Sequence, residues 1–391
     1  MPVLYIHRQD ACAPSMEAPV LRKIFHHFTI PTFRCFPFLP FHHSIIPLFH
    51  YSYCLPLPMN LTEKEAGLLV ALQRGITLCE RPFAALAEAQ GMSEEDVLAF
   101  IRQRLADGDA RRFGAVFDAR RLGYRSALCA MRIPAEELSR IVSSVTAEPG
   151  VTHCYERKPT LQPDRPCPNL WFTLAAPAHI FSQTLDALRT ACAPYGIDEL
   201  PAIQRFKIDV VFDLRTRNRD ERVEPRTKTD LNTRLVESVN EKQEAIVRLL
   251  QGDIPLNSRL FEAPAAQLGL SEAELIEQLK AWQERGVLRR IALLLRHREI
   301  GFTANGMCCW DVSAESIKEA GRRVAAFSEV THCYERPPTA YFPFRLYAMI
   351  HTPSSEETLA LYERITRETG LAQGELLLSS TEFKKTSMRF F

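Results

Sequence analysis

The peptide Thr-His-Cys-Tyr-Glu-Arg stands twice in this 391-residue chain, at Thr152 to Arg157 and at Thr331 to Arg336. Laid on itself at an offset of 178 residues, 179 near the histidine, the chain matches well beyond the hexapeptide. Gly91-Met92-Ser93-Glu94 falls on Gly269-Leu270-Ser271-Glu272, Arg111-Arg112 on Arg289-Arg290, and Gly123-Tyr124 on Gly301-Phe302. Solenoid repeats run at ~20 to 50 residues, so this is a tandem pair of whole domains. Each copy spans about 155 residues, enough to bury a core of its own. Read as strands, the hexapeptides put His153, Tyr155 and Arg157, and likewise His332, Tyr334 and Arg336, on one face, with the Cys and Glu on the other.

The first copy opens with a Thr62-x-x-Glu65 capping box before an apolar stripe through Leu68, Leu69 and Leu72. Two further short helices follow, Phe83 to Gln90 and one capped by Ser93, and then a strand over Ala110 to Phe117. Three helices and a β-ribbon make a winged helix-turn-helix, which the second copy reproduces. Next comes strand (Ser126 to Ile133), helix (Ala135 to Ala147), strand (Val151 to Lys158), strand (Leu170 to Ala175), helix (Ala178 to Cys192) and strand (Ala202 to Leu214). This β-α-β-β-α-β order is ferredoxin-like. The fold class is therefore α+β, a duplication of winged helix plus ferredoxin-like domain. The expected boundaries are winged helices at 59–120 and 237–298, ferredoxin-like domains at 121–214 and 299–391, and a polar linker at 215–236.

Residues 1–58 match neither copy and hold nine of the 26 Pro and six of the 11 His. Their uncharged stretch after Cys35 raises a membrane span, but Pro37, Pro40, Pro47, Pro56 and Pro58 oppose one, each interior Pro costing a helix ~3 kcal/mol. They read as a leader, either disordered or upstream of a natural start at Met59. Arg215 to Arg234 holds six Arg, one Lys and four acidic residues with almost nothing apolar, the composition of a solvated linker. A formal net charge of +1 gives no global drive toward DNA or an anionic membrane. Eleven Cys without Cys-x-x-Cys pairs suit a reducing cytoplasm rather than a disulfide framework or structural zinc.

The second copy concentrates polar groups. Arg289, Arg290, Arg296, His297 and Arg298 cluster around the end of one apolar strand, Asn305 follows, and Arg345 lies beyond a Pro- and aromatic-rich loop at Pro337 to Phe344. The first copy aligns Ala119 with His297 and Ala127 with Asn305. Arg side chains bind carboxylates in bidentate fashion, so this set suits a flat apolar ligand edged with carboxylates. His297 and His332 could exchange protons with it or ligate a metal, against the plainer reading of satisfied structural histidines.

A winged helix joined to a ferredoxin-like domain resembles the leucine-responsive (Lrp/AsnC) regulators, and a ligand- or heme-sensing transcription factor is one reading. Glu94, Glu95 and Asp96, and Glu272, Glu274 and Glu277, crowd the helices that would meet bases, and acids there repel phosphates. The Arg289-Arg290 pair, the run from Arg296 to Met307 and the second hexapeptide together resemble the siroheme decarboxylases, some of which fuse two related subunits. That resemblance covers Met59 to Phe391. It implies loss of the C12 and C18 acetate carboxyls of siroheme, giving 12,18-didecarboxysiroheme and CO2, with no added cofactor, the iron being part of the substrate. It makes His332 and His297 the catalytic candidates, with Arg289, Arg290, Arg296, Arg298, Asn305, Tyr334, Arg336 and Arg345 toward the substrate. His153, Tyr155, Arg157, Arg111 and Arg112 are second-copy candidates, the first copy being expected to serve mainly as folding partner. The expected partners are siroheme and the other repeat, with a homo-oligomer as a further assembly and no DNA or membrane; a non-catalytic tetrapyrrole carrier is the remaining alternative.

Overall fold

The computed structural model describes residues 61–214, 236, 239–372 and 374–391. The expected leader and nearly all of the expected linker lie outside that range. Each repeat opens with three helices: α1 (Glu63–Arg74), α2 (Pro82–Gln90) and α3 (Glu94–Ala106), then α6 (Glu241–Leu250), α7 (Glu262–Gln267) and α8 (Glu272–Glu284). Thr62 and Glu65 form the expected capping box on α1, and Asn240 with Gln243 and Ser271 with Glu274 repeat the device on α6 and α8.

The wing differs from the sequence expectation. The strand after α3, β1 (Ala110–Phe117), pairs antiparallel not with a strand of its own repeat but with β7 (Leu288–Leu295) of the other. One ribbon thus joins the two helical heads, whose helices share one apolar core around Phe113, Trp282 and Ile291. The joint is two-fold symmetric in detail: Ile76 N–H donates to the Ile291 carbonyl (2.9 Å) and Ile254 N–H to the Phe113 carbonyl (2.9 Å).

The ferredoxin-like strands are β2 (Tyr124–Met131), β3 (Val151–Pro159) and β4 (Leu170–Pro177) in the first repeat, and β8 (Ala304–Trp310), β9 (Val330–Glu335) and β10 (Leu346–Thr352) in the second. Helices α4 (Leu138–Ala147), α5 (Phe181–Ala191), α9 (Ile317–Ala325) and α10 (Ser355–Thr369) cover one face. The strand expected over Ala202 to Leu214 is instead two short pieces. β5 (Asp198–Pro201) pairs with β2 of its own repeat, and β6 (Gln204–Ile208) crosses to β9 of the other. The last strand, β11 (Gly374–Lys385), does the reciprocal, pairing its first half with β8 and its second with β3. The order is β5-β2-β4-β3-β11-β8-β10-β9-β6. β5 and β6, the two end strands of this order, are successive stretches of chain, so residues 202–203 link its ends covalently.

Alternation then sorts the side chains. Cys154 and Cys333 face the helix-covered cores, whereas His153, Tyr155, Arg157, His332, Tyr334 and Arg336 face inward. Trp171, Met307, Phe342, Phe344, Tyr347 and Leu377 pack together on that inner face. The aromatic loop is therefore partly core, with Phe342 and Phe344 fully buried and Tyr341 exposed.

Candidate active site

Beyond this apolar plug, the inner face turns polar. Strand exchange sets Lys385 opposite His153 and Ile208 opposite His332, equivalent positions in the two repeats with different residues. After β6, Phe212 reaches the second repeat and stacks on His297 (centroids 6.0 Å, 13°) while its edge meets His351 at 5.5 Å. The Phe212 backbone is clasped by Gln73, which donates to its carbonyl at 2.9 Å and accepts its N–H at 2.7 Å; Gln251 does the same for Phe390. His297 and His351 lie edge to face at 4.9 Å.

The polar contacts specify the proton positions. Arg157 Nη2 donates to Asn305 Oδ1 (3.2 Å), which turns the amide nitrogen toward His351 Nε2 (3.4 Å). His351 then carries its proton on Nδ1, facing Thr331 Oγ1 (3.4 Å), whose own hydrogen goes to the Met349 carbonyl (3.2 Å). The same hydroxyl accepts from His332 Nδ1 (3.1 Å), leaving His332 Nε2 as a lone pair. His297 is opposite in sense: Lys385 Nζ donates to its Nδ1 at 2.6 Å, so the proton sits on Nε2, which is buried and has no hydrogen-bond partner.

Burial holds all four rings neutral. It pushes His153 and His332 down to about 4 and His297 to about 3, with nearby cations adding to the effect, and takes His351 well below the usual imidazole range. His153 acts on both His332 and His297, so residues of the two repeats share one field. Burial likewise lowers Lys385 to about 8.

Two rims of arginine flank this centre, related by the internal symmetry but opposite in charge placement. Around Tyr334, Asp118 accepts from Arg289 at 2.7 Å and lies 3.6 Å from Arg205 and 3.8 Å from Arg120. Around Tyr155, the position equivalent to Asp118 is Arg296, and that of Arg205 is Glu382, 3.8 Å from Arg298. Arg111 and Arg296 also line an open cleft of 410 Å³ against the helical heads, with Arg102 and Leu105 of α3 and Asp253 and Ile254 after α6, and no carboxylate among the described residues bonds either one. The buried Nε atoms of Arg111 and Arg298 also lack partners. Arg157 and Arg336 cover the rings of Tyr155 and Tyr334 at 5.2 and 4.9 Å.

The structure thus gathers His297, His332, Asn305, Tyr334, Arg289, Arg298 and Arg336 with His153, Tyr155, Arg157 and Arg111, so the cluster draws on both copies rather than on the second alone. Arg290 turns aside to the Val210 carbonyl (3.3 Å) and Asp209 (3.8 Å). Arg112 binds the Ala115 carbonyl (3.2 Å), and Arg345 faces Glu315 instead of the histidines. The alignment of Asn305 with Ala127 shifts by one: Ala127 points into the helix-covered core while Asn305 points inward, so sheet register makes Ser126 the counterpart. Sequence reasoning missed His351, Lys385, Phe212, Asp118, Arg120, Arg205 and Glu382. Only His351, a lone imidazole closing an apolar strand, carried a visible signal. Among the described residues, no group of three or more His, Cys, Asp or Glu is set to hold a metal ion, and no helix is long and apolar enough to cross a membrane.

Residues 121–207 and 299–384 each match the model of the AsnC-like ligand binding domain, and 65–108 and 243–289 each match that of the siroheme decarboxylase NirDL-like HTH domain. The chain is 37% identical over 327 residues to a siroheme decarboxylase of Hydrogenobacter thermophilus, covering 83% of this chain and 94% of that one. The chain belongs to the siroheme decarboxylase family, in its fused form. It is a carboxy-lyase by that membership. A siroheme decarboxylase beta subunit of Methanosarcina barkeri is 42% identical over 144 residues, 37% of this chain and 95% of that one. The crystal structure of the siroheme decarboxylase NirDL superposes with a TM-score of 0.63 at 34% identity, over 84% of this chain and 94% of that one. A second structure of that enzyme, in co-complex with an iron-uroporphyrin III analogue, gives a TM-score of 0.62 at 33% identity, with the same coverage.

Proposed function

We propose that this chain removes the C12 and C18 acetate carboxyls of siroheme, giving 12,18-didecarboxysiroheme and CO2, with no added cofactor. The observation that carries this reading is the inner-face centre itself, neutral imidazoles of defined tautomer between two arginine rims. A macrocycle edged with eight carboxylates supplies counter-charge to Arg111 and Arg296, which no carboxylate among the described residues bonds.

When the C–C bond breaks, its electron pair passes into the macrocycle and CO2 leaves; the exocyclic carbon then takes a proton. His297 is the better-placed donor, because its Nε2–H is free, whereas His332 presents a lone pair. His332, Tyr334 and Arg336 hold the neighbouring carboxylates. Arg side chains fix the other carboxylates while the reacting one sits against apolar surface, which favours loss of its charge as CO2.

Anaerobic incubation of the protein with siroheme, followed by mass spectrometry, gives two successive losses of about 44 Da, the mass of CO2, from substrate held by the inner-face arginines. Unchanged siroheme that stays tightly bound would mark a carrier instead. Glu94 at the start of α3 is paired to Arg81 and Glu272 at the start of α8 to Arg259, so these two acids are neutralised within the protein.

A further inference from the structure

Among the described residues, Lys385 is the one cation in direct contact with a ring nitrogen of the inner-face histidines, and it arrives there by strand exchange. It ends β11 opposite His153 of the first repeat, yet its Nζ reaches Nδ1 of His297, 2.6 Å away. The equivalent residue in the other repeat is Ile208, opposite His332, where no side-chain cation can play this part. The preceding residues, by contrast, do the same work in both copies: Lys207 caps the chain after α9 through the Phe327 carbonyl (2.6 Å), and Lys384 caps α4 through those of Thr146 and Glu148 (2.7 and 2.9 Å). Lys385 therefore departs from the internal symmetry at the same place as His297, whose own counterpart is Ala119.

We propose that Lys385 is a positioning and proton-supplying residue for the reaction: it holds His297 as the Nε2–H tautomer and refills Nδ1 as Nε2 gives up its proton. The inference rests on the proposed decarboxylation. In the step, the substrate C–C bond breaks with release of CO2, and the electron pair left on the exocyclic carbon takes the Nε2 proton of His297. Nδ1 of the same ring takes a proton from the Lys385 ammonium, leaving a neutral imidazole of the other tautomer and a neutral amine. One proton from solvent then enters at Nε2 while the Nδ1 proton returns to the Lys385 amine, which restores the ammonium and the Nε2–H tautomer, so carboxylate plus proton yields a methyl group and CO2. Neither ring nitrogen has to hold the ring as a free imidazolium, which the burial of His297 opposes.

The surroundings suit a lysine that gives up its proton near neutrality. Glu382 on its own strand favours the ammonium, while Arg111 of β1 and Arg298 beyond β7 oppose it, and burial lowers it to about 8. His297, His153 and His351 complete the groups that face it, all three neutral.

The test uses two variants of the full chain. In the free protein, 15N-resolved NMR of the imidazoles shows His297 as the Nε2–H tautomer in the wild type and in Lys385→Arg, and a mixture in Lys385→Met. With siroheme bound to saturation, both variants lose about 100-fold in decarboxylation rate, the scale of a general acid contribution: Lys385→Met because no proton is delivered, Lys385→Arg because guanidinium does not release one. The wild-type rate falls as pH rises past the Lys385 pKa, and the two variants lack that limb. A wild-type His297 protonated on Nδ1 overturns the positioning role, and a Lys385→Arg or Lys385→Met rate equal to wild type with the limb intact overturns the proton supply. If the wild type leaves siroheme unchanged, the proposed function fails, while the tautomer in the free protein still decides whether Lys385 positions His297.

Discussion

His153, His297, His332 and His351 are each easier to protonate in the unfolded chain than in the folded one, because burial costs the charged form. The sign follows directly. Below about 6.5 the unfolded state binds protons the folded state refuses until about 4, so stability is full above pH 6.5 and falls as pH drops through that window. Denaturant midpoints measured from pH 7 to pH 5 should decline, and replacing His297 with Gln should flatten the decline. Arginines divide by a related argument. Arg289 neutralises the buried Asp118, so Arg289→Ala should lower stability by about 1–3 kcal/mol, the cost of an under-satisfied buried charge. Arg111 has no internal carboxylate among the described residues, so Arg111→Ala should leave the melting temperature nearly unchanged and weaken siroheme binding by roughly 10- to 100-fold. Thermal melts and optical titration of the two variants separate these effects; a destabilised Arg111→Ala with unaltered binding would place that arginine in the fold rather than the site.

Strand β6 depends on a single missing side chain. Phe206 lies across α9 at Gly321, where a Cβ would stand 2.3–2.5 Å from three atoms of its ring. Gly321→Ala must displace Phe206, and with it the pairing that sets Arg205 opposite Tyr334 and Ile208 opposite His332. The expected loss is about 1–3 kcal/mol for overpacking; hydrogen exchange should show it concentrated in β6 and β9, whereas uniform loss would deny that element its special role. The helices were legible in the sequence because their signals are local: Thr62 with Glu65, Ser93 before Glu94, Gly91 and Gly269 after their neighbours. The hexapeptide faces were legible through the period of two. Pairing was not. β1 looks like half of a local ribbon because a strand carries no mark of its partner's address, and β5–β6 looks like one strand because its two halves are both extended. Asn305 was set against Ala127 for the same reason, since only sheet register shows which face a residue takes. Lys385 and Phe212 were invisible on this account: their chemistry comes from crossing into the other repeat.

At the scale of the molecule, the shared nine-stranded sheet makes the two repeats one folding unit. Without β11, the outer edge of β3 stands open with His153 on it; without β6, that of β9 does, with His332. The β1–β7 ribbon and the shared core of the helical heads add a third seam. Either half alone would expose strand edges and apolar helix faces, a state prone to aggregation. Covalent continuity through residues 215–235 is a separate matter, since none of these seams uses the peptide bond between the halves. A protease site placed in that segment tests the point. After cleavage, the two fragments should elute together in size-exclusion chromatography without denaturant, retain the wild-type melting temperature and keep the decarboxylation rate, because His297, Lys385 and His153 remain held by the same register. After separation in denaturant, each fragment alone should precipitate or aggregate on refolding, and mixing them before dilution should restore one 1:1 species. Fragments that part under native conditions, or a lone second fragment that folds and acts on siroheme, would show that the exchange of strands is dispensable.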